Sequence, residues 1–140
     1  MTYYLDTSAL VAWFHPGNPH CRPLLAWREK HSVELAYNRM LQLEAGHYLR
    51  RLTDSYAGVA WNAFRAVETM RLYQWHSLAY TQLFERAEQY SRRHKSKIEC
   101  GFWDLCLVVA ALDEELPFVT ADRKQKDAAK LLGVKATLIG

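Results

Sequence analysis

Residues 102–112, FWDLCLVVAAL, are the most apolar stretch of the chain. Their apolar positions run around the whole helical wheel instead of along one stripe, which predicts a helix buried on more than one face. The remaining sequence alternates between two periods. Short β-prone runs occur at 3–5, 33–36, 72–75, 117–120 and 136–139. Between them, Thr7 and Ser8 open a helix carrying Leu10, Val11 and Phe14, and segment 20–31 reads as another. Asn38 starts a helix in which Leu41, Ala45, Leu49 and Leu52 recur, and 56–67 follows it. Ser77 opens a longer helix through Leu83, Phe84, Ala87 and Tyr90, and Gly133 closes a basic helix over 123–132. Strands alternating with helices predict an α/β domain with a mainly parallel sheet. The 140 residues suffice for one such domain, spanning 1–140, with a sizeable core.

Four acids sit where an acid is locally awkward. Asp6 ends the first strand, Glu44 lies in the apolar run LQLEAGHYL, Asp104 lies within the apolar helix, and Asp122 follows the fourth strand in FVTAD. Burying an ionised carboxylate costs several kcal/mol unless it is paired or bound to metal. In a parallel sheet, ligands gather beyond the carboxyl ends of the strands. Asp6 and Asp122 occupy that edge, and helices carrying Glu44 and Asp104 begin near it. A carboxylate cluster repels itself unless a cation relieves it, and oxygen-only ligation suits Mg²⁺ or Mn²⁺ better than zinc. Each acid also fits a plain structural role. Asp6, Asp104 and Asp122 stand where helix caps stand, and Glu44 can pair with Arg50 or Arg51.

With these residues in view, the chain resembles the PIN domain, and more narrowly the VapC-type toxins of toxin–antitoxin pairs. The likeness rests on LDTSAL with Asp6, on Glu44 followed by LRR, on Asp104 followed by small and apolar residues through Leu112, and on TADRKQ with Thr120 and Asp122. It covers essentially the whole chain. The resemblance implies a three-layer α/β/α fold with a central, mainly parallel sheet of four to five strands. It implies a metal-dependent endoribonuclease in which Asp6, Glu44, Asp104 and Asp122 are both catalytic and metal-binding, taking one or two Mg²⁺ or Mn²⁺ ions. Thr7, Ser8 and Thr120 match the family's hydroxyl positions near the pocket. It further implies an RNA substrate, a homodimer, and a cognate antitoxin whose tail fills the active-site groove. Two features depart from many relatives: Leu107 and Gly101 stand where His and Arg are common, and RKQKD after Asp122 lacks an aromatic residue.

The charge balance acquires meaning only after this division. Eighteen Lys and Arg face 15 Asp and Glu, a net of +3; without the four motif acids, 11 remain and the balance is +7. Arg123 and Lys124, beside Asp122, are candidate substrate-binding residues, and 91–97 (SRRHKSK) is a second basic run that reads equally well as a solvated helix end. No apolar run approaches the roughly 18 residues of a membrane span. The start, MTYYLDTSAL, has no basic region and carries an acid, unlike a signal peptide. Cys21, Cys100 and Cys106 have no CxxC spacing, so free thiols in a cytoplasmic protein are expected. His15 and His20 read as surface residues, Glu99 and Asp127 likewise, and 113–115 as a solvated helix end. Two other classes compete with the nuclease: a catalytically silent PIN-like module binding RNA or protein, and a receiver-like protein phosphorylated on Asp6. The DTS at the first strand end, in place of an acidic pair, speaks against the latter.

Overall fold

The computed structural model describes residues 1–69 and 73–140. The chain runs β1 (Thr2–Leu5), α1 (Thr7–Phe14), α2 (Cys21–Glu29), β2 (Glu34–Tyr37), α3 (Arg39–Arg50), α4 (Ala57–Thr69) and β3 (Tyr73–Trp75). It continues through α5 (Tyr80–His94), a 3₁₀ turn at Lys95–Lys97, α6 (Phe102–Asp113), β4 (Phe118–Thr120), α7 (Arg123–Leu131) and β5 (Ala136–Leu138). All strand pairs are parallel, in the order β3-β2-β1-β4-β5. Tyr4 sits level with Ala36 on one side and with Phe118 on the other.

That order dictates the layering. The chain moves outward from β1 to β2 to β3, then jumps back across β1 to β4 and moves outward again to β5. Parallel crossovers are right-handed, so the reversal sends the two groups of helices to opposite faces. Accordingly, α1 packs against α2, α3 and α4, while α6 contacts both α5 and α7. The result is the expected three-layer α/β/α arrangement. Covered on both faces, a parallel strand reads as a continuous apolar run, and Phe118, Val119 and Thr120 are all fully buried. The helix at 102–112 behaves as its composition predicts: every residue from Leu105 to Ala111 is buried.

Capping residues set the boundaries. Asp6 and Asn38 accept the N–H groups of Ala9 and Leu41 at 2.8 and 3.0 Å. Gly133, at φ +81°, turns the chain out of α7, a backbone state that carries no steric penalty only for glycine.

Three sequence expectations fail. The helix expected from Ser77 starts at Tyr80, because His76 extends the β3 ladder by donating its N–H to the Tyr37 carbonyl at 2.8 Å. His15 is buried, its Nε2 2.5 Å from the Asp54 carboxylate. Segment 113–115 is not merely solvated: Asp113 pairs with Arg86 at 2.7 Å, and Glu114 pairs with His76 and accepts the Tyr4 hydroxyl at 3.0 Å. The expected strand at 72–75 is found at Tyr73–Trp75, with Leu72 outside the described residues. Among those residues, no helix is long and apolar enough to cross a membrane.

Candidate functional site

The jump from β3 back to β4 makes the carboxyl ends of β1 and β4 the topological switch point of the sheet, where a crevice opens between neighbouring units. Asp6 follows β1 there, and Thr120 and Asp122 end β4. Asp6 is 3 % exposed and is held by three donors. The Ala9 N–H reaches it at 2.8 Å, the Ser8 hydroxyl lies 2.7 Å from each of its oxygens, and the Thr120 hydroxyl donates at 2.8 Å. Both hydroxyls are used twice. Ser8 Oγ accepts the Ala121 N–H at 3.2 Å, and Thr120 Oγ1 accepts the Asp122 N–H at 2.9 Å. Each proton therefore goes to Asp6 and a lone pair goes to the β4–α7 turn, which ties the two strand ends together.

The other acids arrive on helices. Asp122 is the N-cap of α7 and accepts the Lys124 N–H at 2.9 Å. Asp104 lies in the first turn of α6, so three of the four acids sit at the positive end of a helix. Glu44, in the second turn of α3, accepts the Thr7 hydroxyl. Neither arginine suggested for it is seen to do that work; Arg50 instead lies 5.2 Å from the Trp61 ring.

Electrostatics join the four into one group. Burial pushes the Asp6 carboxyl up to about 6 against the pull of its three donors, and the Asp104 charge adds to the rise. Burial also raises Glu44; the Thr7 hydrogen bond opposes this and the Asp104 charge reinforces it. Asp104 itself is raised by burial and by the Asp122 charge, with the Gly101 N–H pulling the other way. Asp104 is thus the centre of mutual repulsion. An all-oxygen donor set under that strain is chemically suited to a hard divalent cation. No three His, Cys, Asp or Glu side chains among the described residues are gathered into a finished coordination shell. The acids fit such an ion in kind, as the edges of a shared crevice.

A cavity of about 540 Å³ opens beside them. Thr7, Ser8, Glu44 and Asp122 line it, together with His20, His47 and Tyr48. His47 and Tyr48 are not among the sequence candidates, and His20, expected at the surface, is half-buried in this lining. The signal for His47 and Tyr48 was their spacing of three and four from Glu44, which puts them on one helix face. Gln125 is not among the sequence candidates either. It is fully buried, donates to the Asp104 carbonyl at 3.0 Å and stands 3.4 Å from the Thr120 hydroxyl. Its D-x-x-Q spacing from Asp122 was a legible capping-box signal.

Arg123 and Lys124 are exposed at the start of α7, outside the cavity lining. In the 91–97 run, Arg92 pairs with Glu88 and Arg93 lies over the Tyr90 ring at 5.5 Å. Glu99 and Asp127 are exposed. Leu107 is buried in the core. Cys100 is free; burial and the nearby Asp104 and Asp122 charges push its thiol up to about 11.

The fold is shared with solved structures. FitAcB from Neisseria gonorrhoeae superposes with a TM-score of 0.66 at 15 % identity, covering 96 % of this chain and 95 % of that one. VapC20 of Mycobacterium tuberculosis, a sarcin-ricin loop cleaving toxin, gives 0.68 at 16 % identity over 91 % and 94 %. FitAB bound to the IR36 DNA fragment gives 0.69 at 14 % identity over 97 % and 94 %. No curated protein sequence matches the chain. The family model of the PIN domain matches residues 3–131, which reach from β1 through α7 and include all four acids, and the chain belongs to the PIN domain family.

Proposed function

We propose that this protein is a Mg²⁺- or Mn²⁺-dependent endoribonuclease, acting as the toxin of a type II toxin–antitoxin pair. The observation that supports this reading is the placing of Asp6 and Asp122 after the neighbouring strands β1 and β4, with the Asp104 charge raising Asp6 and Glu44 and the Asp122 charge raising Asp104. The bound cation, held by these carboxylates, would lower the pKa of a water and offset charge on a phosphodiester. The chain does the rest. Ser8 and Thr120 orient Asp6, Thr7 orients Glu44, and Gln125 holds the first turn of α6, and so Asp104, against α7. Arg123 and Lys124 take RNA phosphates at the rim.

The structural likeness to the toxin VapC20 and to FitAcB supports a toxin role with an antitoxin partner; a homodimeric assembly and action in the cytoplasm complete the proposal as what the family resemblance implies. The test is RNA cleavage by wild type, Asp6→Asn and Asp104→Asn, each with Mg²⁺, Mn²⁺ or EDTA. Cleavage by wild type with metal, lost in both folded variants and in EDTA, is expected. Undiminished cleavage by both variants would sink the proposal.

A second reading, a silent module binding RNA or protein, draws on the absence of a finished three-ligand shell among the described residues. Thermal stabilisation by Mn²⁺, lost in Asp6→Asn and Asp104→Asn, favours the nuclease. No shift in melting temperature at millimolar Mn²⁺ favours the module.

A further inference from the structure

The face of α3 that carries Glu44 continues in a pattern unconnected with the carboxylates. Glu44, His47, Tyr48 and Arg51 recur at three, four and seven residues, and so form one stripe along the helix. Core packing does not explain it: His47, Tyr48 and Arg51 are all exposed, Tyr48 by 50 %. Tyr48 also borders two hollows. On one side is the 540 Å³ cavity with Glu44, His47 and His20; on the other is a hollow of about 230 Å³ that it shares with Arg51 and Leu52. An aromatic ring between an acidic cleft and a cationic hollow is the arrangement single strands are bound by, with the ring stacking a base and the cation taking the backbone.

The wall facing this stripe is built in advance. The Asn18 side chain accepts the His20 N–H at 2.9 Å, and the Cys21 N–H bonds the Asn18 carbonyl at 3.0 Å, which fixes the backbone of the 18–21 turn that carries His20. A Cβ on Gly140 would stand 2.9 Å from His20 Nδ1, so the ring is packed against backbone on that edge. The cavity lining contains no Lys or Arg. Its imidazole, phenol and amide groups, beside the carboxylates of Glu44 and Asp122, suit a base and a ribose hydroxyl better than a phosphate.

We propose that Tyr48, His47 and His20 form a nucleotide subsite that stacks and hydrogen-bonds one unpaired base of an RNA strand, with Arg51 taking the adjoining phosphate. The subsite rests on the nuclease reading for its substrate class but not for its geometry. From Glu44 to Arg51 the helix rises about 10 Å, so the stripe guides a short single strand out of the acidic cleft.

The test uses a single-stranded RNA oligonucleotide containing 2-aminopurine, titrated with the intact protein in EDTA so that no metal-dependent cleavage intervenes. Wild type quenches the fluorophore on binding. Tyr48→Ala weakens binding about tenfold and abolishes the quench, whereas Tyr48→Phe retains both. Arg51→Ala lowers the slope of log affinity against log salt by about one. Tyr48 is half-exposed, so equal melting temperatures for the variants are expected and serve as the folding control. Equal binding and quenching by wild type and Tyr48→Ala overturns the subsite, as does failure of wild type to bind. The two proposals separate through Asp6→Asn, which leaves binding and quenching intact while cleavage is lost. A Tyr48-dependent quench in a protein that cleaves no RNA with any metal leaves the subsite standing and removes the nuclease.

Discussion

At the scale of the residue, Asp6 is a buried acid held by the Ala9 N–H and by the Ser8 and Thr120 hydroxyls. Its carboxyl is pushed from 3.8 to about 6, chiefly by burial, although three donors face it. The sign of the consequence follows from linkage. The unfolded chain releases this proton near pH 4 and the native chain near pH 6, so the native state binds more protons in between. Metal-free stability therefore falls as pH rises through that window and levels off above it. Two pKa units correspond to about 3 kcal/mol, and the raised carboxyls of Glu44 and Asp104 act in the same direction. Urea denaturation in EDTA at pH 4.5 and pH 7 should show wild type losing stability relative to Asp6→Asn as pH rises. Parallel pH profiles for the two proteins would contradict this. That Asp6 is awkward was legible in the sequence, since it ends an apolar strand. Its three donors were less so: Ser8 and Thr120 lie two and 114 residues away, and only the nearer one is a local pattern.

At the scale of the element, α6 shows how an apolar sequence and an acid proposed as a metal ligand coexist. Asp104 lies in the first turn, beyond the sheet edge, and burial begins at the next residue, Leu105. Leu107 belongs to that buried run, with 1 % of its surface exposed. It is a packing residue, so its identity bears on stability and not on contacts in the cavity. Leu107→Ala is expected to cost about 2–5 kcal/mol, read as a lower urea midpoint. Loss below 1 kcal/mol would mean that α6 is packed less tightly than its burial implies. Gln125 makes a complementary case. Gln125→Leu keeps the volume but removes the side-chain donor that the Asp104 carbonyl has beside its own helix bond, at a cost of about 0.5–1.5 kcal/mol, read as a lower urea midpoint. The start of α5 illustrates the limit of local reading. Ser77 has the chemistry of a cap, yet the chain stays extended through His76 because β2 offers a ladder partner, and a hydrogen bond to a strand 39 residues earlier is invisible to a local pattern.

For the whole molecule, charge and topology act together. Setting the four motif acids aside leaves a basic protein around an acidic crevice. On the proposed function, a polyanion is drawn to the rim and a cation to the centre. RNA affinity should fall with salt, and the variant carrying both Arg123→Ala and Lys124→Ala should show a log–log slope shallower by one to two units. An unchanged slope would remove these two residues from the interface while leaving the crevice untouched. The crevice itself is a product of strand order. Any sheet in which β1 and β4 were not neighbours would separate Asp6 from Asp122; with β1 between β2 and β4, the two acids follow adjacent parallel strands at the point where the strand order reverses.

The sequence by itself determined the class of fold, because periods of two and near 3.6 alternate along it and one helix is apolar all round. It also singled out the four acids, because an ionisable group in an apolar run is costly and so conspicuous. Tertiary structure alone decided what those acids face. Asp6 is gripped by a hydroxyl from β4, Glu44 by one from α1, and Asp104 is steadied through Gln125 of α7. It also set His20 beside a helix stripe that is regular in sequence but silent there about its neighbour. Local periodicity reports which face a residue takes, whereas the partner on that face depends on which strands lie side by side.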